Sequence, residues 1–186
     1  MRNHLGARLS AALARMKGMD GLRLEVIKIT PDSIPERLVE LRDLLGGPSG
    51  PRPDLPYVAN FVYQTTAMFL RPETSIHTWE PHQEDRQLIL WQGSEMVAEL
   101  YGMLYKDHAI VAGIHTAIER EGGGTRLMRH FARLAGVRPV HLNASEPALG
   151  FYRKLGFRHV PTKTKGHHPL AWPQAKQHAA AELAQD

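Results

Sequence analysis

Residues Gly122 to Phe157 constrain the fold of this chain more than any other stretch, because they hold two turn-and-helix signals in succession. The first reads Glu121-Gly122-Gly123-Gly124-Thr125-Arg126-Leu127-Met128, three glycines directly before a helical pattern. Upstream, Ala109-Ile110-Val111-Ala112-Gly113-Ile114 is short, apolar and β-branched enough to read as a buried strand. Downstream, Leu127, Met128, Phe131 and Leu134 recur at helical spacing. The order is therefore strand, glycine turn, helix. A helix N-terminus presents unpaired N–H groups and a partial positive charge, and glycines let a phosphate come close to them. The segment suits a pyrophosphate, with a plain flexible turn as the alternative. No Gly-Lys-Ser/Thr follows and no Gly-x-Gly-x-x-Gly appears, which argues against the two familiar phosphate loops.

The second signal is Leu142-Asn143-Ala144-Ser145-Glu146-Pro147-Ala148-Leu149-Gly150-Phe151-Tyr152-Arg153-Lys154-Leu155-Gly156-Phe157. Val140 to Asn143 reads as a strand, and Ser145 as a helix N-cap with Glu146 and Pro147 in the first turn. The short helix ends at Gly156, and Phe157, His159 and Val160 begin another strand. In this order, and roughly twenty residues apart, the two segments resemble the GNAT superfamily of acyl-CoA-dependent N-acyltransferases. The later segment matches that family through Ala144, Ser145, Tyr152, Leu155, Gly156 and Phe157. Aligning Gly122 and Gly124 with the family's loop glycines puts Ile114 at its Val and Thr116 at its Pro. Glu119 then stands where Gln or Arg is usual, and Arg120 falls one position late. Backbone N–H donors from Gly122, Gly123, Gly124 and Thr125 remain for the pyrophosphate. Either a small loop rearrangement brings Arg120 into use or cofactor affinity is lost.

Composition bounds the rest. At 186 residues the chain makes one domain with additions. We expect an N-terminal helical extension over 1–20, a GNAT-like domain over 21–162 and a C-terminal extension over 163–186, helical from about Pro173. With no cysteine, disulfides, thiolate metal sites and a covalent enzyme thioester are excluded. No apolar run approaches the eighteen or so residues of a membrane span, so a soluble, cytoplasmic protein is expected. Met1 to Lys17 is amphipathic and basic. It reads as an added helix packing on the domain or a partner, with a transit peptide or lipid-surface helix as alternatives. From Glu119 to Lys165 ten Lys or Arg stand against three acids. That half attracts anions: a solvated basic face, the phosphates of an acyl-CoA, or a nucleic acid such as tRNA or DNA would each account for it.

Earlier in the chain, Leu22 to Thr30 alternates as a half-buried strand. A helix capped by Thr30 or Asp32 then runs to Leu45, with Ile34, Leu38, Leu41, Leu44 and Leu45 on one face and Gly46 and Gly47 ending it. After a loop rich in glycine and proline, Tyr57 to Leu70 reads as a helix. Its Tyr57, Phe61, Tyr63 and Phe69 either line a pocket or fill the core. Residues 72–85 read as loop; His77, His82, Glu84 and Asp85 match no dedicated metal spacing, and no metal is expected. Strands follow over 86–91, 95–105 and 109–117, with Gly113 a candidate bulge. The expected fold is α/β in the α+β sense: a mixed, mostly antiparallel twisted sheet flanked by helices, its central strands splayed as the resemblance implies.

The resemblance also implies the chemistry: an amine attacks the thioester of acetyl-CoA directly, without a covalent enzyme intermediate. Tyr152 holds the family position that often protonates the departing thiolate, and a phenol with a pKa of about 10 keeps its proton at neutral pH. Asn143 is expected to bind a cofactor amide or the Tyr152 hydroxyl. Backbone N–H groups of His115 to Ala117 are the expected oxyanion donors. Glu99 and His115 are the candidate general bases, alongside water alone. The acceptor, a small molecule, protein or nucleic acid, is not legible, and a homodimer is possible. The alternative function is a catalytically weakened module that binds acyl-CoA, nucleic acid or a protein.

Overall fold

The computed structural model describes residues 21–30, 33–70, 82–117, 122–161 and 168–182. The helix read over 1–17, the candidate ligand His77, and Glu119 and Arg120 lie outside them.

Strand β1 (Leu22–Ile29) pairs antiparallel along its whole length with β2 (Glu84–Gln92). Between them run α1 (Glu36–Leu45) and α2 (Tyr57–Phe69). Helix α1 buries Leu38, Leu41 and Leu45, but Ile34 and Leu44 are exposed. The reason is geometric. The helix starts only after Pro35, which leaves Ile34 outside it, and Leu44 lies one 100° step from Leu45, off the buried stripe. The expected cap at Thr30 is replaced by a bridge from Thr30 to Ser33. Glu84 and Asp85 belong to β2 rather than to a loop.

Strands β2, β3 (Glu95–Leu104) and β4 (Ala109–Thr116) form an antiparallel meander turning at Gly93 and at residues 105–108. Helix α3 (Gly123–Ala135) returns the chain to β5 (Val140–Ala144), parallel to β4. A 3₁₀ turn (Glu146–Ala148), helix α4 (Leu149–Lys154), strands β6 (Arg158–His159) and β7 (His168–Trp172), and helix α5 (Gln174–Glu182) complete the order. The seven-stranded sheet runs β1-β2-β3-β4-β5-β7-β6. The mixed, mostly antiparallel sheet flanked by helices is as the sequence implies.

Side chains alternate across a strand, so β2 feeds two cores at once. Leu88 and Leu90 join Leu100, Leu127, Phe131 and Trp172 on the α3 side, while Ile89 and Trp91 join Ile27, Leu41, Val62 and Tyr101 on the α1 and α2 side. That double burial explains the unbroken apolar run in β2.

The C-terminal segment is not an addition to the sheet. Strand β7 lies between β5 and β6, with Leu170 and Trp172 buried in the core, so a boundary at 163 would split one sheet. Helix α5 packs on α3. Its fully buried Gln177 accepts from Val140 N–H at 3.2 Å and donates to the Gly136 and Arg138 carbonyls at 3.1 and 2.7 Å.

Candidate active site

The site begins with a defect in one strand. Tyr101 faces Gly113 while Gly102 faces Val111, so Ala112 is the extra residue of a bulge on β4. The expected distortion at Gly113 falls one residue earlier. On the other edge, β4 and β5 pair only from Ala109–Val140 to Val111–Leu142 and then part. Asn143 and Ala144 continue in register with β7, and residues 113–116 stay in register with β3. The central strands therefore open into a cleft.

Ladder alternation decides which groups face it. Ala117 N–H donates to Val97 O at 2.8 Å, so in this antiparallel register the N–H groups of His115 and Gly113 also point at β3. Those of Ile114 and Thr116 turn to the opening. Of the three donors expected for an oxyanion, Thr116 N–H is the one directed at the opening, while those of His115 and Ala117 point to the sheet.

Helix α3 starts beside this cleft. Gly122 has φ 83°, a left-handed conformation that glycine adopts without strain, and no side chain caps the helix. No side chain among the described residues caps the N–H groups of Gly122, Gly123, Gly124 and Thr125, and such a helix start suits an anion. Packing also demands small residues: a Cβ on Gly124 would stand 3.2 Å from Phe151 Cζ and 3.5 Å from Ile114 Cδ1. The glycine run thus lets α4, β4 and the start of α3 converge.

Tyr152, the neighbour of Phe151 on α4, is buried in the core on the α3 side. Its ring packs edge-on against Phe151 and Phe157, and only 6% of the residue is exposed. Burial pushes its phenol up to about 12. The hydroxyl makes no hydrogen bond to the described residues, Asn143 included. Asn143 Oδ1 instead accepts from His168 N–H at 3.0 Å, tying β5 to β7.

The two base candidates meet on the opposite face. Glu99 and His115 are directly opposed across β3 and β4, a position where side chains share a face. Glu99 is 1% exposed, and its carboxyl is pushed up to about 7 by burial, which hydrogen bonds from Gln87 and Thr65 oppose. Burial lowers the His115 pKa, favouring the neutral imidazole. Phe61 stacks on it with centroids 3.6 Å apart, and Tyr57 stands edge-on to Phe61. The α2 aromatics thus divide: Tyr63 and Phe69 are core, while Tyr57 and Phe61 wall the His115 side. Sequence reasoning does not reach Gln87, because a glutamine in an apolar strand carries no motif. A separate cavity of about 250 Å³, lined by Arg42, Pro48, Tyr63, Ala67 and Leu70, lies between α1 and α2, away from this chemistry.

Among solved structures, an acetyltransferase from Thermus thermophilus superposes with a TM-score of 0.50 at 22% identity, over 83% of this chain and 99% of that one. The present chain has the GNAT fold. A bacterial toxin gives a TM-score of 0.51 at 14% identity, over 88% of this chain and 98% of that one. No protein-family model and no curated protein matches the sequence. Phe151 packs on Gly124 at the start of α3 and its neighbour Tyr152 lies in the core on that side, while Glu99 and His115 oppose each other on the other face of the sheet.

Proposed function

We propose that the chain is an acyl-CoA-dependent N-acyltransferase that moves an acetyl group from acetyl-CoA to an amine. One observation carries this reading: the β4–β5 ladder stops at Val111–Leu142 on the strand that leads to an uncapped, glycine-started helix. An extended amide-bearing arm needs an unpaired strand edge, and a pyrophosphate needs backbone N–H donors. Ile114 and Thr116 would supply the first, and Gly122 to Thr125 the second. The substrate itself supplies the activated thioester.

The remaining steps fall to side chains. The neutral amine attacks the thioester carbon, the C–N bond forms, and the C–S bond breaks. Thr116 N–H would hold the developing oxyanion. Tyr152 would give its hydroxyl proton to the leaving thiolate and regain one from solvent. Its buried phenol keeps that proton across the working range, which suits an acid. The proton shed by the amine passes to the His115 and Glu99 side.

Incubation of the full chain with acetyl-CoA and pooled amines, followed by free-thiol release, tests the proposal. Amine-dependent thiol release is expected. Thermal stabilisation by acetyl-CoA without thiol release would instead support a binding module. Salt-sensitive binding of tRNA or DNA would point to a nucleic-acid acceptor.

A further inference from the structure

Two buried oxygens without a hydrogen bond of normal geometry sit on one interacting pair. Gln87 Nε2 donates to Glu99 Oε1 at 2.7 Å, while Gln87 Oε1 and Glu99 Oε2 are sealed from solvent and lack a hydrogen bond of full geometry among the described residues, the Thr65 hydroxyl being the other group near the carboxyl. The amide orientation follows from its surroundings, because Nε2 also faces Val62 O and Thr66 Oγ1 at 3.4 and 3.5 Å, both able to accept. An ionised carboxylate and an amide oxygen both only accept, so neither orphan can satisfy the other. A proton on Oε2 would satisfy both at once. In a cyclic acid–amide pair each group would give one hydrogen bond and accept one.

We propose that Gln87 is the positioning residue for the Glu99 proton: at rest the two form a closed carboxylic acid–amide pair, and its loss readies Glu99 to receive the acceptor's proton through His115. This rests on the acyl-transfer reading. The N–H proton shed as the neutral amine adds to the thioester goes to one ring nitrogen of His115, and the proton on the other nitrogen goes to Glu99 Oε2, which releases it to solvent before the next turnover. The amide nitrogen is left neutral, and nothing is oxidised or reduced. Turnover therefore needs the ionised form of Glu99.

The surroundings favour such a titration. His115 faces Glu99 from β4, and Tyr101 and Asp85 lie further along the same face, with the Tyr101 hydroxyl donating to Asp85 Oδ2 at 2.6 Å. Helix α2 contributes the hydroxyls of Thr65 and Thr66 and carries no charged residue from Tyr57 to Phe69. No cation among the described residues is paired with Glu99. Burial raises its pKa, and the bond from Gln87 Nε2 restrains the rise.

Infrared spectra of the full chain across pH test the pair directly. A protonated-carboxyl band should titrate near neutrality and be absent from Glu99→Gln. Gln87→Met fills similar space without the amide. It removes both bonds of the pair and should move the band's midpoint, and the rising side of the kcat/KM profile with it, by about one pH unit. If Gln87→Met does not fold, Gln87→Asn, whose shorter amide opens the ring, should still shift the band frequency. No protonated-carboxyl band near neutrality, or an unmoved midpoint in a folded Gln87 variant, overturns the inference. A shifting band in a chain without turnover would sink the acyl-transfer reading and leave the pair. Turnover whose pH profile ignores Gln87 would do the reverse.

Discussion

Tyr152 shows how far sequence reaches at single positions. Its place four residues before Gly156 is legible, but its isolation is not, because the bond from His168 N–H to Asn143 depends on a strand sixteen residues beyond Tyr152. Tyr152→Phe removes only the hydroxyl. The variant should lose about 10²-fold or more in kcat with acyl-CoA affinity little changed, as read by initial rates and calorimetric titration. Unchanged turnover would remove Tyr152 from the mechanism. Glu99 makes a second prediction, on stability. Its folded pKa is raised, so the folded chain binds this proton more tightly than the unfolded chain does. The stability that Glu99 contributes is then greatest below the ordinary carboxyl range, falls as pH rises from about 4.5 to about 7, and levels off above. The loss amounts to about 3 kcal/mol. Glu99→Gln should flatten that part of the pH–stability curve in denaturant titrations.

At the scale of elements, periodicity and turn chemistry find every strand of the meander, both helices before it and the glycine-started helix. Alternation places β1, and Gly93 and Gly122 mark turns that need positive φ. The bulge falls one residue from its expected place, since Gly113 tolerates distortion but register decides where the extra residue sits. Gly102 escapes sequence reasoning for a different reason: its constraint comes from another element. A Cβ there would overlap the Phe131 ring of α3. Gly102→Ala should destabilise the fold by about 1–3 kcal/mol, measured by chemical unfolding. Gly122→Ala tests the phosphate end instead. Forcing an alanine to a left-handed conformation costs about 1–2 kcal/mol and should weaken acyl-CoA binding with little effect on kcat at saturation. Equal affinity in that variant would separate the helix start from the pyrophosphate.

For the whole molecule, the C-terminal residues are the least legible, and the cause is topological. His168–Trp172 is short and begins with histidine and proline, so nothing local marks it as a strand between two others. Its burial of Trp172 and its cover over the free edge of β5 come only from long-range pairing. Truncation after residue 161 should therefore abolish cooperative unfolding, whereas a truncation-tolerant chain would make β7 dispensable. Gln177→Leu leaves the Val140 N–H and the Gly136 and Arg138 carbonyls without their partner. It should cost about 1–3 kcal/mol by thermal unfolding. The central claim, that an acylated thiol carrier lies between β4 and β5 with its diphosphate on α3, is tested most directly by amide-resolved NMR titration with acetyl-CoA. The account predicts saturable shifts centred on the amides of Ile114, Thr116 and Gly122 to Thr125. Shifts clustered elsewhere, or none at saturating acetyl-CoA, would contradict it.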